Sequence, residues 1–511
     1  MKFDNIIYKG FVACSLLMAT SCSDSYLQED PNQYIDEESL SDAVAKDPSK
    51  VQAYVNGAYM DVYTGGDFQT GHDDFGIPAI KLTTDLFCED VAYTRDAHFF
   101  CFDYQLDNRL GNFRRTNSAW NQLYSLIDKA NSIIMLLTPK EGDTPSEDAT
   151  KKLGEAYSLR AYAYFWLANL WQHPYSVSKD APGVPLKTET VYRQERVTVG
   201  EIYAQILSDI DKGYGYLKGL GYHNGKVGMS EFAAAGIYSN VLMFTGNYAD
   251  AAKYAEIAIQ GGSFNSSNEM LSGFNSLNLP EVLWGYKVTN ETTSYYASFF
   301  SHVDPYMIGY GGAVGFRKSI ASDLYDKIAD TDIRKQWFGY NEKYNAANQV
   351  DFKFEKESGL LPYVSNKFRD KFVCGTGDPF TSDIIYMRIA EFYFVAAEAY
   401  YLNGNEAKAL ELLNKIMKNR DSKYNFAGSG EDLYNEICIQ KRIEMFMEGT
   451  RYLDATRRNE TIDRSKSINH AIDLKNMNAV TYSSREYRMI FHIPIKEIEN
   501  NPAIGPKDDN E

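Results

Sequence analysis

Two clusters of aromatic residues have the types and spacing best suited to chemistry in this chain. One lies close to Arg95 and Asp96, and the other lies beside Gly309, Gly311 and Gly312. Aromatic rings stack on the apolar faces of sugars, while amides and charged groups fix the hydroxyls. The chemistry predicted is therefore ligand binding. The candidate contact residues are Phe99, Phe100, Tyr104 and Asn108 in the first cluster, and Tyr295, Tyr296, Phe299, Tyr306 and Tyr310 in the second. For each aromatic residue the alternative is packing of its loop against the helices of the fold.

Catalysis has little support in the sequence. A glycosidase needs two carboxylates across a cleft, and the acidic stretches at 73–74 and 85–90 could supply them, as any acidic loop could. No GxSxG, HExxH or Gly-rich phosphate motif is present. The seven histidines and six cysteines show no metal-ligand spacing. We therefore predict that the protein is not an enzyme.

Composition and charge limit the class of partner. The chain is 44% hydrophobic and 24% charged, as expected for a globular protein. Its net charge of −17 argues against a nucleic-acid partner, which would need a basic face. Tyrosine is unusually common, with 39 Tyr against 28 Phe and 5 Trp, and its flat ring with a hydroxyl suits sugars and peptides.

Two cysteines of the body leave an alternative open. Cys88 and Cys101 are close enough in sequence for a disulfide that would close a short loop in an exported protein. They could equally be free, buried thiols. The sequence does not decide between these states.

The N-terminal segment has the pattern of a lipoprotein signal. Lys2 and Lys9 precede a short apolar run, and the small residues at 19–21 lead directly to Cys22. The run is too short to span a bilayer, and no later stretch is long enough to do so. The alternative is an ordinary secretory signal with a chance cysteine. We predict a leader at 1–21, lipidation of Cys22, and a tether at 22–45.

The elements that must position the aromatic clusters are mostly helical. Apolar residues recur at helical spacing, and two segments carry a Gly-Asn turn followed by closely spaced alanines, Gly246–Ala251 and Gly404–Ala409. That is the pattern of a tetratricopeptide hairpin, with generic helical hairpins as the alternative. The helical segments predicted are 119–137, 154–171, 198–217, 231–260, 383–419 and 431–457.

Both aromatic clusters lie in segments that lack helical periodicity. The predicted body is 46–511, with a helical scaffold at about 46–63, 116–260 and 383–460. The irregular inserts are about 64–115 and 261–375, the latter with a short β-like run at 282–288. Long irregular segments on a rigid scaffold often carry function. We expect Trp120, Trp166 and Trp284 to lie in the core.

Short strings of characteristic residue types follow one another along the whole chain after the predicted leader. The strings are the mature start Cys22–Pro31, Trp120–Tyr124 with Ala130-Asn131, Leu159–Phe165, Gly183–Leu186, Asp330–Arg334, Tyr386–Glu391 with Ala397–Ala399, Arg442–Glu444, Glu448–Arg451, Asp454–Arg457, and the terminal Ile493-Pro494, Glu497 and Asn501-Pro502. Taken together and in order, these strings resemble the SusD/RagB family of Bacteroidetes outer-membrane lipoproteins.

The resemblance implies a mainly α fold, in which four tetratricopeptide-like units support an irregular ligand-binding half with minor β structure. It also implies a lipid-anchored, outward-facing protein of the outer membrane that captures a glycan and passes it to a SusC-like TonB-dependent transporter. It implies neither catalysis nor a cofactor. The alternatives are capture of peptides or glycopeptides, and a structural lid with little affinity of its own.

The charged C-terminal strings look catalytic at first sight. Glu448 and Arg451, like Asp454 and Arg457, stand at i,i+3, and Glu444 stands four residues before Glu448. Side chains at these spacings meet on a helix surface. We therefore predict salt bridges that tie the scaffold together.

Overall fold

The computed structural model describes Val44 and residues 46–64, 71–93, 99–140, 142–339, 363–470 and 479–510. The chain divides into two units, Met1–Val51 and Gln52–Glu511. In the first unit the described residues form a short 3-10 helix, Pro48–Val51. The predicted leader, Cys22 and nearly all of the predicted tether lie outside the described residues. The helices and strands after Val51 belong to the second unit.

The second unit is mainly helical, as predicted. Its longer helices are Gln52–Thr64, Ile77–Leu86, Arg114–Leu137, Glu147–Trp171, Val199–Leu217, Glu231–Thr245, Tyr248–Ile259, Ile389–Leu402, Glu406–Arg420, Gly430–Glu444 and Arg451–Arg458. Its short helices are Phe100–Tyr104, Tyr175–Ser178, Ser267–Met270, Phe299–Val303, Ser322–Tyr325 and Ile495–Asn500, with 3-10 turns at Ile333–Trp337, Arg464–Lys466, Tyr487–Met489 and Pro506–Asp508.

The helical hairpins follow from local sequence signals. Thr198 caps its helix through a reciprocal capping box with Glu201. Gly246 ends the Glu231–Thr245 helix in the left-handed conformation, at φ 79°, so the predicted segment 231–260 is two helices that pack on each other. Gly404, at φ 78°, makes the equivalent turn between Ile389–Leu402 and Glu406–Arg420. Both Gly-Asn turns therefore lie between two packed helices, as the sequence predicts.

Two predicted helical segments need correction. Residues 384–388 form a strand, because they pair with Val282–Tyr286, and the helix begins only at Ile389. The segment 431–457 is broken between Glu444 and Arg451, where Met447 and Gly449 have positive φ angles of 59° and 79°. The strand at 384–388 depends on tertiary pairing that no local pattern shows, whereas the second break contains Gly449, a residue type that commonly ends a helix.

The strands are short and join distant parts of the chain. The antiparallel pairs are Val91–Tyr93 with Lys318–Ile320, Pro182–Lys187 with Tyr192–Thr198, Val282–Tyr286 with Ile384–Arg388, and Thr461–Asp463 with Thr481–Ser483, and a further strand spans His223–Lys226. In the first pair Val91 lies opposite Ile320. Because these residues come from the two predicted inserts, this pairing fixes one insert against the other.

The charged C-terminal residues form ion pairs, but not all at the predicted spacing. Asp454 and Arg457 form the i,i+3 pair at 3.3 Å. Glu448 instead pairs with Lys367 at 2.6 Å, and Arg451 pairs with the carboxylate of Glu89, also at 2.6 Å. The reason is the helix break, since Glu448 lies after one helix ends and Arg451 begins the next.

A buried ionic cluster connects the second insert to the scaffold. Glu444 contacts Arg420 at 2.9 Å and Arg388 at 3.1 Å, and Glu281 of the insert contacts both arginines at 2.8 Å. Burial by itself would raise the pKa of Glu444. The guanidinium groups of Arg420, Arg388 and Arg334 outweigh that effect and hold the pKa well below its usual range. The insert is therefore anchored by charges that have no access to water.

The core positions of the large side chains agree with the sequence prediction. Trp120, Trp166 and Trp284 are all buried. Cys88 and Cys101 are both buried and no disulfide joins them, so of the two states that the sequence left open the structure has the unbridged one. Burial raises the pKa of the Cys88 thiol.

None of the helices in the described ranges has the length and apolarity that a membrane crossing requires.

Candidate functional site: an aromatic face

The structure brings the two predicted aromatic clusters together. The rings of Phe99 and Tyr310 meet edge to face with centroids 4.8 Å apart, and Tyr296 lies 6.5 Å from Tyr310. Two residues that the sequence did not single out complete the group, since His72 stacks 6.1 Å from Tyr296 and Phe380 lies 5.3 Å from it. We call His72, Phe99, Tyr295, Tyr296, Tyr310 and Phe380 the aromatic face.

The aromatic face has accessible rings. Tyr295 is 59% exposed and Tyr296 is 45% exposed, and His72 is partly exposed. Phe99, Tyr310 and Phe380 are half-buried, so each shows part of its ring. Large exposed apolar surfaces in one place commonly mark a binding site. This group therefore offers flat surfaces on which a ligand can stack.

The remaining predicted contact residues lie in the interior. The helix Phe100–Tyr104 directs the side chains of its first and last residues inward together, because they are four positions apart. Phe299 packs against Phe368 at 5.0 Å. Five of the predicted contact residues are buried and not accessible to a ligand, so we assign them to the interior of the fold: Phe100, Tyr104, Asn108, Phe299 and Tyr306.

Three members of the aromatic face have strained backbone conformations. The φ angles of Phe99, Tyr295 and Phe380 are 42°, 49° and 62°. A positive φ costs a non-glycine residue roughly 1–2 kcal/mol, and a bulky aromatic side chain gives no local compensation. Seven non-glycine residues in the described ranges have positive φ, and three of them lie here. Strain of this kind concentrates at functional sites, where the surrounding fold maintains it.

Tyr310 is held in place from several sides. Its hydroxyl lies 2.6 Å from Nδ1 of His72, and its ring stacks on buried His302 with centroids 4.7 Å apart and an interplanar angle of 13°. Burial, followed by the nearby charge of Asp73, raises the pKa of Tyr310. A Cβ at Gly312 would lie only 2.1 Å from the carbonyl oxygen of Met307, so the loop that presents Tyr310 needs glycine there.

An arginine–carboxylate network supports the aromatic face from below. Arg115 pairs with Asp73 at 2.8 Å and with Asp103 at 3.3 Å, and its guanidinium lies 4.9 Å from the Phe100 ring centroid. Arg114 pairs with Asp73 and Asp74, each at 2.5 Å, and its side chain stays 35% exposed. The network fixes the first insert, and Arg114 can offer hydrogen bonds at the surface.

The titratable groups beneath Tyr310 are strongly perturbed by burial. Lys318 donates to the carbonyl oxygen of His302 at 2.8 Å, and burial lowers the pKa of Lys318 to about 7. Burial, and then the charge of Lys318, lowers the pKa of His302 well below its ordinary value. His302 is therefore a neutral aromatic support for Tyr310 at physiological pH.

The residues missed by sequence reasoning lie outside any recognisable pattern. His72 stands alone in a segment rich in Gly and Asp, and Phe380 lies between the predicted end of the second insert and the predicted start of the scaffold. Nothing in their spacing links them to the clusters.

Within the part of the chain that the structure describes, no group of three or more His, Cys, Asp or Glu side chains is arranged to hold a metal ion. The geometry of the face suits stacking and hydrogen bonding.

Comparison with known families identifies the class of protein. Residues 26–243 match a family model described as "Starch-binding associating with outer membrane", and residues 280–505 match the model of the "SusD family". Together the two matches cover most of the chain. The protein belongs to the SusD/RagB family.

Individual relatives are distant in sequence. The SusD-like protein P38 of Formosa agariphila is 24% identical over 403 residues, which cover 68% of this chain and 74% of that protein. A SusD-like protein of Bacteroides ovatus is 21% identical over 375 residues, covering 66% of this chain and 64% of that protein. The match therefore spans less than two thirds of the length of the Bacteroides ovatus relative.

Solved structures share the fold. A SusD superfamily protein from Bacteroides thetaiotaomicron superposes with a TM-score of 0.75 at 22% identity, covering 91% of this chain and 99% of that one. Surface glycan-binding protein A from the same organism, in complex with laminarihexaose, gives a TM-score of 0.66 at 16% identity, covering 90% and 99%. These similarities confirm the mainly α fold.

Proposed function

We propose that this protein is a cell-surface binding protein that captures a glycan on its aromatic face and delivers it to a SusC-like TonB-dependent transporter. The observation that carries the proposal is the convergence of rings from both inserts, exemplified by the 4.8 Å contact between Phe99 and Tyr310. Neither insert could form this surface alone.

The chemistry of the aromatic face favours a sugar chain. Exposed tyrosines such as Tyr295 and Tyr296 combine a stacking surface with a hydroxyl, and Arg114 adds charge-assisted hydrogen bonds at the edge. Preorganised rings bind with a lower entropic cost than mobile ones. This advantage accounts for the strained positive φ angles at Phe99 and Phe380, which hold the two rings in place. A member of the same fold class was solved with laminarihexaose, which supports a glycan as the ligand class.

The proposed location is the outer face of the outer membrane. A lipidated Cys22 would anchor the chain, and residues 22–45 would form the tether; the description of one matching family, associating with the outer membrane, supports this. A Cys22→Ala protein should fold and bind normally but leave the membrane fraction. Retention of that variant on the cell surface would contradict the anchor.

Binding to a glycan panel tests the proposed function. Affinity gels and calorimetry would be run on the wild type, on Tyr296→Ala/Tyr310→Ala, and on the control Tyr192→Ala, which removes a tyrosine 62% exposed on the Tyr192–Thr198 strand. Each stacked ring contributes about 0.5–1.5 kcal/mol, so we expect the double variant to bind about 5- to 150-fold more weakly and the control to bind normally. Clear peptide binding without any glycan binding would contradict the proposal.

A measurement of glycan uptake by cells distinguishes a protein that captures the glycan from a structural lid with little affinity of its own. If the protein acts by binding, cells that carry the Tyr296→Ala/Tyr310→Ala variant should take up the glycan more slowly at limiting concentration. Normal uptake by these cells, with the variant present at wild-type levels, would show that affinity at the aromatic face does not matter.

A further inference from the structure

A second groove borders the loop that carries Phe380. Residues 268–279 and 371–376 enclose it, with a volume of about 980 Å³. None of the residues predicted from sequence lines it. The groove is large enough for part of a ligand, and its walls are distinct from the aromatic face.

The loop between the two sites, residues 370–382, is held closed by its own hydrogen bonds. Ser382 donates its hydroxyl to Asp370 at 2.7 Å, and the Ser382 oxygen accepts the backbone N–H of Lys371 at the same distance. Lys371 also pairs with Asp383 at 2.9 Å. The two ends of the loop are therefore bonded to each other, as in other compact surface loops.

The groove contains uncommitted polar groups beside an aromatic ring. The side chains of Asn268, Asn278 and Lys287 line it, are exposed, and make no hydrogen bond or ion pair with any other residue in the described ranges. Phe372 is 39% exposed in the same wall. Amide and ammonium groups next to an accessible ring are the combination that fixes and stacks a sugar.

The 370–382 loop links the groove directly to the aromatic face. Phe372 belongs to the groove, and Phe380 lies 5.3 Å from Tyr296. Thr293 donates its hydroxyl to the carbonyl oxygen of Phe380 at 2.7 Å, which fixes this end of the loop. Thr376 lines the groove only four residues before Phe380, so their Cα atoms are at most about 15 Å apart. A chain-like ligand of a few sugar units can reach both sites.

We propose that this groove binds a further portion of the same glycan, so that the protein selects chains long enough to pass over the 370–382 loop. This inference rests on the proposed function. It assigns Phe372 as a stacking residue, and Asn268, Asn278 and Lys287 as hydrogen-bond donors to hydroxyl groups.

Length-resolved binding tests the groove separately from the aromatic face. The probe is a ladder of oligosaccharides of about two to ten units, prepared from the panel polysaccharide that the wild type binds most tightly. We expect wild-type affinity to rise with length, and the Phe372→Ala/Lys287→Ala variant to lose at least about tenfold affinity for the longest chains while binding the shortest normally. Asn278→Trp, which fills the groove, should give the same profile, and thermal melting checks that both variants are folded.

The outcomes distinguish the two claims. If both groove variants bind every length as the wild type does, while Tyr296→Ala/Tyr310→Ala loses binding, the groove inference is overturned and the proposed function stands. If the wild type binds no glycan, both are overturned. If folded groove variants lose affinity for short and long chains equally, the groove does not contribute to length selection and the inference fails.

Discussion

Nδ1 of His72 and the hydroxyl oxygen of Tyr310 lie 2.6 Å apart, although 238 positions separate these residues in the chain. The contact joins the two irregular inserts at the surface, as the Val91–Ile320 pairing joins them below. Binding groups from both inserts can therefore act as one surface.

We predict that His72→Ala weakens glycan binding by about 2- to 10-fold, because a hydrogen bond contributes roughly 0.5–1.5 kcal/mol and its loss frees the Tyr310 hydroxyl. His72→Gln, whose amide can still reach a hydroxyl, should recover part of the affinity. Calorimetry with the selected glycan measures both. Equal affinities for wild type and His72→Ala would show that this contact does not position Tyr310.

We predict that Gly312→Ala destabilises the protein by about 1–3 kcal/mol and weakens binding, because the new methyl group would overlap the Met307 carbonyl oxygen. Gly215→Ala is the matched control: a Cβ there has no neighbour within 4 Å, and alanine favours the Val199–Leu217 helix. Urea unfolding compares the two. Equal stability of Gly312→Ala and wild type would contradict the close packing of this loop.

Glu444→Gln should destabilise the protein by about 3–5 kcal/mol, because it leaves Arg388 and Arg420 buried with too little negative charge. The control is Glu147→Gln, which removes an exposed i,i+4 pair with Lys151 and should change stability little. Chemical denaturation gives both values. A Glu444→Gln variant as stable as the control would mean that the ionic cluster does not anchor the second insert.

The stability of the protein should depend on the protonation of Asp304. This carboxyl accepts the backbone N–H groups of Tyr306 at 2.7 Å and Asp370 at 2.6 Å, and burial raises its pKa from 3.8 to about 7. The folded state therefore holds a proton that the unfolded state releases near pH 4. The contribution of protonated Asp304 to the free energy of unfolding is complete below about pH 4 and is lost as the pH rises through 7. The free energy of unfolding changes in this range by on the order of 1 kcal/mol per pH unit.

Asp304→Asn tests this dependence, because asparagine keeps the shape of the protonated acid and does not titrate. Between pH 4 and 7, the free energy of unfolding of the variant should rise relative to that of the wild type as the pH rises, because only the wild type loses the contribution of protonated Asp304. Parallel pH profiles would show that Asp304 does not take up a proton on folding in this range.

The scaffold could be predicted because its signals are local. Capping at Thr198 and the glycine turns at Gly246 and Gly404 lie within a few residues of the structures that they determine. One of the two errors arose where distant pairing decides the outcome: residues 384–388 are a strand only because Val282–Tyr286 lies beside them. The other lies at the turn between Glu444 and Arg451, where Met447 and Gly449 have positive φ angles.

The candidate site could be predicted only in part. Composition indicated which segments hold it, and Phe99, Tyr295, Tyr296 and Tyr310 lie on the aromatic face. It could not show that neighbouring Phe100 points inward, since that depends on a five-residue helix too short for a periodic signal. His72 and Phe380 became visible only when the fold placed them beside Tyr296, and their participation in binding remains a prediction.

A structure of the protein with its bound glycan tests the central claim most directly. The wild type would be crystallised with the oligosaccharide that binds most tightly in the panel. We predict that sugar rings stack on Tyr296 and Tyr310, with Arg114 or His72 donating to hydroxyl groups. A glycan bound elsewhere, with the rings of the aromatic face uncontacted, would contradict the account.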